Sequence, residues 1–262
     1  MAIIVFDIDG VVRDVGGSYR RALADTAEKF TDGAYRPTME DIDQLKSEGI
    51  WNNDWEGSQE LIYRYFESQG QTREQIKLDY DQLVTFFQSK YRGEEADSFG
   101  GYITTEPLLL QPSYLEELTS VNLGWGFFSG ATRDSAEYVL QERIGLTKPI
   151  LVAMEDAPGK PDPTGLFQTV SQLETIHGNL GTTPVIYVGD TVADMYTVVK
   201  AREIKPERIW LGVGILPPHV HGNEEREKSY GEALLKAGAA VVFANVQELN
   251  SAQVSQLLST DR

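Results

Sequence analysis

The chain has 262 residues, 41% of them hydrophobic, and a formal net charge of -17 at pH 7. It contains no cysteine, which excludes disulfides and thiolate metal sites, and its negative balance argues against a nucleic-acid backbone or an anionic membrane as partner. No apolar run approaches the ~18 residues that cross a bilayer, and the first apolar stretch is too short for a secretory signal, so a cytoplasmic location is expected.

In chain order, residues 3–6 are four apolar side chains in a row, the pattern of a short strand buried on both faces of a parallel sheet. That strand delivers Asp7 and Asp9 at its carboxyl end, and Gly10 permits a tight backbone turn directly after them. Two neighbouring carboxylates repel unless a cation or a shared proton relieves them, which favours a metal-assisted site; an acidic turn after a strand is the plainer alternative. With three histidines and no thiols, a metal here would be a hard cation held by oxygens, which points to magnesium.

Helical spacing follows at 19–30, with Ser18 as N-cap, then at 37–45, 59–67 and 73–91. Between the second and third of these lies the segment Trp51-Asn52-Asn53-Asp54-Trp55, expected to be an irregular loop. Nothing between 19 and 91 resembles a strand, and 93–107 reads as a connection. After residue 107 the pattern changes to strict alternation. Strands are expected at 124–128, 149–154, 184–188, 208–213 and 239–243. Helices are expected at 114–118, 132–143, from 163 to about 175, at 192–202, 224–237 and 246–258. Such alternation implies right-handed βαβ units and a parallel sheet. The predicted organisation is an α/β, Rossmann-like parallel-sheet core formed by 1–16 and 102–262, with an all-helical domain at 17–101 inserted after the first strand.

Three further strands end in polar signatures: Ser129-Gly130, the isolated cation Lys160, and Gly189-Asp190 with Asp194 four residues on. In a parallel sheet all of these ends meet Asp7 and Asp9 at one edge, where ligands of open α/β sheets bind. An acidic protein could hold an anion there through Lys160, the Ser129 hydroxyl and the backbone amides of Gly130 and Ala131, with Asp190 as a third carboxylate for magnesium.

Taken together, Asp7-Ile8-Asp9-Gly10-Val11, Ser129, Lys160 and Gly189-Asp190 with Asp194 resemble, in order, the four motifs of the haloacid dehalogenase-like hydrolase superfamily. The insertion resembles the C1-type helical cap of its subfamily I, and core and cap together cover nearly the whole chain. The resemblance implies Asp7 as nucleophile and Asp9 as general acid and base. It implies magnesium bound by Asp7, the Asp9 backbone carbonyl and Asp190, with Ser129, Gly130 and Lys160 on the phosphoryl oxygens and Asp194 behind them. Relatives that cleave carbon–halogen bonds lack the second aspartate, so Asp9 favours phosphoryl transfer. The implied activity is hydrolysis of a small-molecule phosphate ester; a phosphosugar mutase resembling β-phosphoglucomutase, or a non-catalytic binding protein, are the alternatives. Two departures are the glycine after Ser129, where many relatives have asparagine, and the Gly-Asp-x-x-x-Asp form of the last motif.

Residues expected to set specificity are Arg20, Trp51, Asn53, Asp54, Trp55 and Arg133, each weighed against a purely structural role. The 51–55 segment also resembles an Asn-Asp-Trp pattern of a small subfamily-I group, some members of which are fused to histidine-biosynthesis enzymes. Asp162 reads as a turn or cap residue. His219 and His221 read as a loop in preference to a metal site, since no third ligand is in view. Glu155 and Asp156 are second choices for metal contact.

Overall fold

The structure, a computed structural model, describes residues 2–51, 53–94, 98–178 and 181–260. Asn52 of the expected loop, and residues 95–97 of the expected connection, lie outside the described residues. The chain divides into two compact units, Met1–Asp14 with Leu108–Arg262, and Val15–Pro107.

The first unit is built on β1 (Ile3–Phe6), β2 (Gly124–Phe128), β3 (Leu151–Val152), β4 (Val185–Gly189), β5 (Trp210–Ile215) and β6 (Ala239–Phe243). They form one parallel, Rossmann-like sheet in the order β3-β2-β1-β4-β5-β6. The order reverses between β1 and β4, so a crevice is expected beyond their carboxyl ends. The flanking helices are α5 (Pro112–Ser120), α6 (Arg133–Glu137), α7 (Thr164–His177), α8 (Val192–Ile204), α9 (Glu224–Lys236) and α10 (Ser251–Thr260). On one face, Ile3, Val5, Phe128, Val152, Val185 and Tyr187 pack against Leu166, Val170 and Leu173 of α7 and Val198 and Ala201 of α8. On the other, the Phe6 ring meets those of Tyr114 on α5 and Phe127, at centroid distances of 6.2 and 6.0 Å. Burial of β1 on both sides accounts for its unbroken apolar run.

The second unit contains α1 (Tyr19–Phe30), α2 (Met39–Ser47), α3 (Asp54–Ser68) and α4 (Tyr80–Tyr91), around a core in which Trp55, Phe30, Tyr35 and Phe66 pack on Ala27, Ile62 and Leu83. Several local expectations are corrected here. Ser18 precedes α1 but does not cap it; its hydroxyl donates to the carboxylate of Glu106, a buried acceptor that outcompetes the helix end. The expected helix at 73–91 is broken: Arg73–Gln75 form a single 3-10 turn, and a second start signal at Asp79, which accepts from the Gln82 N–H, opens α4. In the first unit the expected helix at 132–143 is α6 followed by a π-helical stretch, Tyr138–Arg143, and β3 is only two residues long. No helix among the described residues is long and apolar enough to cross a membrane.

Candidate active site

β1 and β4 are neighbours in register, Phe6 opposite Val188, so their ends carry Asp7 and Asp190 to the same edge. The Asp7 N–H donates to the Val188 carbonyl at 2.8 Å, which ties the first residue past β1 to β4. β2 adds Ser129 at this edge, its N–H bonded to Val152 O at 3.0 Å. Lys160 comes from the loop before α7. Its Nζ lies 2.7 Å from Asp7 Oδ1 and 2.7 Å from Asp194 Oδ1, with all three side chains buried. The rings of Phe128 and Tyr187 stand 5.3 and 5.5 Å from the ammonium and hold it away from bulk solvent.

Asp194 is wholly committed to the protein. Oδ1 accepts from Lys160 and from the Tyr187 hydroxyl at 3.0 Å, and Oδ2 accepts from the Thr191 N–H at 2.9 Å and its hydroxyl at 2.6 Å. The last two belong to the capping box that starts α8, completed by the Asp194 N–H to Thr191 Oγ1. Four accepted bonds use the carboxylate's lone pairs.

Asp7, Asp190 and Asp194 each bring one carboxylate oxygen within 4.8 Å of the others. Since Asp194 is spent, Asp7 and Asp190 are the carboxylates suited to a cation, and their all-oxygen, buried character fits a hard divalent ion. The electrostatics agree. Burial lifts the Asp7 carboxyl to about 7; Asp194 and Asp9 push in the same direction, against the pull of Lys160. For Lys160, burial works against the charge, but Asp194 and Asp7 outweigh it and hold its pKa above the ordinary lysine value. Burial, then Asp194, raises the Tyr187 hydroxyl well above 10, so it stays a proton donor.

Gly10 is required by geometry. Its φ is +74°, and a Cβ there would fall 2.0 Å from Asp190 Oδ2. Gly10→Ala is therefore expected to expel the Asp190 carboxylate, weakening the hold that Asp7 and Asp190 could have on a divalent cation at least ~10-fold, and to cost about 1–2 kcal/mol from the left-handed backbone alone. Isothermal titration with Mg2+ and denaturant melts of the metal-free protein check the two effects separately.

Asp9 is a quarter exposed, and its carboxylate pairs with Arg13. Ser129 is buried; its Oγ accepts from the Ala131 N–H at 3.1 Å, so that amide, expected to face an anion, is already engaged. α6 begins only at Arg133 and is five residues long.

The expected specificity residues are each engaged inside their own unit. Arg20 is buried and pairs with Asp43 at 2.7 Å. Trp51 donates its indole N–H to Glu48 at 2.7 Å and accepts from Lys46 on its carbonyl at 2.8 Å. The expected loop is in part a helix start: Asn53 caps α3 by accepting from the Trp55 N–H at 2.9 Å, and Asp54 in the first turn pairs with Lys46 at 2.9 Å. Trp55 is part of the helical unit's apolar core. Arg133 pairs with Glu137 at 2.9 Å and with Asp156, while its N–H donates to Glu155. Asp162 accepts from the Thr164 N–H at 2.8 Å, the turn role expected of it. His221 bonds the Leu216 carbonyl and His219 meets the Tyr230 ring edge-on; among the described residues, the only group of three potential metal ligands is the aspartate cluster.

Sequence reasoning passed over Arg13, Tyr187 and Thr191. Two of them had signals: Thr191 and Asp194 have capping-box spacing, and a tyrosine inside a buried strand needs a partner for its hydroxyl.

The family model described as "Hydrolase: haloacid dehalogenase-like hydrolase" matches residues 1–201. A curated relative, an imidazoleglycerol-phosphate dehydratase of Phytophthora nicotianae, is 29% identical over 247 residues; the match covers 92% of this chain and 49% of that protein, so the chain spans about half of its length. Among solved structures, phosphatase Tt82 from Thermococcus thioreducens is 25% identical at a TM-score of 0.62, covering 87% of this chain and 98% of its own. A phosphonoacetaldehyde hydrolase-like protein from Oleispira antarctica superposes at a TM-score of 0.69 with 17% identity, covering 98% of this chain and 91% of its own. A provisionally assigned β-phosphoglucomutase from Thermotoga maritima does so at 0.56 with 18% identity, covering 97% and 99%. These last two likenesses are of fold.

Proposed function

The chain belongs to the haloacid dehalogenase-like hydrolase family, and from that premise we propose that it is a magnesium-dependent phosphatase acting on a small phosphorylated metabolite through an aspartyl-phosphate intermediate. The observation that carries this reading is the buried salt-bridged trio Asp7–Lys160–Asp194 with Asp190 beside it, one fixed cation amid carboxylates at the carboxyl edge of the sheet.

In this reading Asp7 attacks phosphorus through a carboxylate oxygen. As that bond forms, the bond from phosphorus to the leaving alcohol breaks, and its electron pair goes to the ester oxygen, which takes a proton from Asp9. Asp9, now ionised, removes a proton from water, whose oxygen attacks the aspartyl phosphate; inorganic phosphate leaves, and the Asp7 carboxylate and the Asp9 proton are restored. Ser129, the Gly130 amide and Lys160 hold the phosphoryl oxygens, and Lys160 offsets the charge of the nucleophile. Asp7, the Asp9 carbonyl and Asp190 would hold magnesium, which neutralises phosphoryl charge when bound. Asp194 fixes the Lys160 ammonium. The helical unit is read as the C1-type cap.

The Phytophthora relative supports a narrower substrate. Its name describes an enzyme of an imidazole-bearing phosphate, and the chain spans about half of it. We infer that the substrate here is a phosphate monoester carrying an imidazole ring.

Phosphate release from a panel of esters tests this reading: histidinol phosphate, imidazoleglycerol phosphate, phosphoglycolate, sugar phosphates, nucleoside monophosphates and p-nitrophenyl phosphate. Release is expected to need magnesium, to fall at least ~100-fold in EDTA, and to be fastest with an imidazole ester. A sugar phosphate as best substrate removes the imidazole reading. Movement of the phosphoryl group within a sugar without release replaces the phosphatase by a mutase, and binding without turnover leaves a binding protein.

A further inference from the structure

The turn after β1 does more than place two aspartates at the sheet edge. The Ile8 carbonyl accepts from the N–H groups of Val11, Val12 and Arg13, and the Gly10 N–H donates to the Arg13 carbonyl at 2.9 Å. The chain thereby folds back on itself, and Arg13 comes to lie alongside Asp9 in a bridge pairing. A second crossing strand of chain pins the turn from outside: Arg13 bridges Leu108, and the Leu109 N–H donates to the Val12 carbonyl at 2.8 Å.

The side chain placed there is a charge with no exposure. Arg13 is 0% accessible, whereas the Asp9 side chain is 25% accessible. Arg13 Nε donates to Asp9 Oδ1 at 2.7 Å and Nη2 stands 2.6 Å from that same oxygen. A guanidinium paired for its own sake spreads two parallel bonds over both carboxylate oxygens. Here both contacts converge on Oδ1, which fixes the carboxyl group through one oxygen and leaves Oδ2 outside the pairing. Arginine keeps its charge at any working pH and accepts nothing, so it can hold Oδ1 whether Asp9 is protonated or ionised. An ion pair of this kind adds little to stability that an apolar pair of similar volume would not; what it does supply is a fixed orientation of the Asp9 carboxyl group.

We propose that Arg13 is a positioning residue for proton transfer: it locks the Asp9 carboxyl group so that Oδ2 meets the oxygen of the leaving alcohol. This rests on the phosphatase reading above and deepens it. The proton moves from Asp9 Oδ2 to the ester oxygen as the bond to phosphorus breaks, and Arg13 neither gains nor loses one.

The test separates esters that need a proton from one that does not. An alkyl phosphate leaves as an alkoxide unless protonated, whereas dinitrophenyl phosphate leaves as a stable phenolate. Both are assayed as kcat/KM, which covers the steps up to formation of the phosphoenzyme. Arg13→Met is expected to lower kcat/KM for the best alkyl ester of the panel at least ~100-fold and that for dinitrophenyl phosphate less than ~10-fold. Arg13→Lys, which keeps a cation, is expected to recover part of the alkyl activity. If Arg13→Met does not fold, the lysine variant carries the comparison, with the larger loss again on the alkyl ester. Adding Arg13→Met to Asp9→Asn should cost the alkyl ester nothing further, since the group being positioned is gone. Equal losses on the two esters, or a full further loss in the Asp9→Asn background, overturn the proposal. A wild type inactive toward both esters overturns the phosphatase reading itself and this one with it.

Discussion

Asp7→Asn is expected to lower phosphate release by roughly 10^4-fold or more, since an amide oxygen is a poor nucleophile and the neighbouring carboxylates Asp9 and Asp194 are already engaged. Asp9 is held by Arg13 and Asp194 by Lys160, Tyr187 and Thr191. Steady-state assays and trapping of the phosphoenzyme check this. The same variant should change stability in the opposite sense. In the metal-free protein Asp7 titrates at about 7 against an ordinary 3.8, because burial penalises its charge. Between these values the native state keeps a proton that the unfolded chain has lost, so stability falls as pH rises from about 4 to about 7. The total is on the order of a few kcal/mol. In EDTA, denaturant titrations across this range should show the decline in the wild type and none of it in Asp7→Asn. Magnesium should flatten the wild-type decline by favouring the ionised carboxylate.

Lys160→Met is expected to be the most damaging single change for folding. It leaves Asp7 and Asp194 as two buried carboxylates without their shared cation, and breaking a buried pair from one side costs about 3–5 kcal/mol. In a chain of this size that corresponds to a fall in Tm of roughly 10 °C. Added magnesium should restore part of this through Asp7 and none through Asp194, whose remaining lone pairs stay bonded to Tyr187 and Thr191. Activity should fall ~100-fold or more even where the variant is folded, because the fixed charge facing the phosphoryl group is gone. Thermal melts with and without magnesium, beside kcat at a temperature where the variant is folded, separate the two losses.

Both predictions concern residues that the sequence announces, and the reason is physical. A strand buried on both faces must be apolar throughout, so the polar residue that ends it stands out: Asp7 after β1, Ser129 after β2, Asp190 after β4. Parallel topology follows from the alternation and turns scattered positions into one edge. The partners of surface and cap charges do not follow in this way. Arg133 at the start of α6 meets Asp156 in the turn after β3, and Arg20 meets Asp43 across two helices; nothing in local spacing encodes either. The expectation of an irregular loop at 51–55 rested on two tryptophans among short polar residues. Asn53 followed by Asp54 and Glu56 is also an N-cap with an acidic first turn, and that feature decides where α3 begins. Arg13 was hidden for a different reason: its neighbour is set by a backbone reversal, which side-chain periodicity does not report.

The position of β1 within the sheet has a consequence for how the protein is made. Its two neighbours, β2 and β4, begin at Gly124 and Val185, while β1 itself begins at Ile3. At 5–20 residues per second the ribosome delivers β4 roughly ten to forty seconds after β1. For that interval the apolar strand β1 has no mate on that edge, and Asp7 and Asp9 lack Lys160 for most of it and Asp190 for all of it. The helical unit, contiguous in sequence, has all its own parts in hand well before. Pairings this distant along the chain slow the search for the native sheet and leave a sticky edge open meanwhile. Newly synthesised protein should therefore depend on holding chaperones far more than its finished stability suggests, and a nascent chain stalled before residue 185 should be the species they capture.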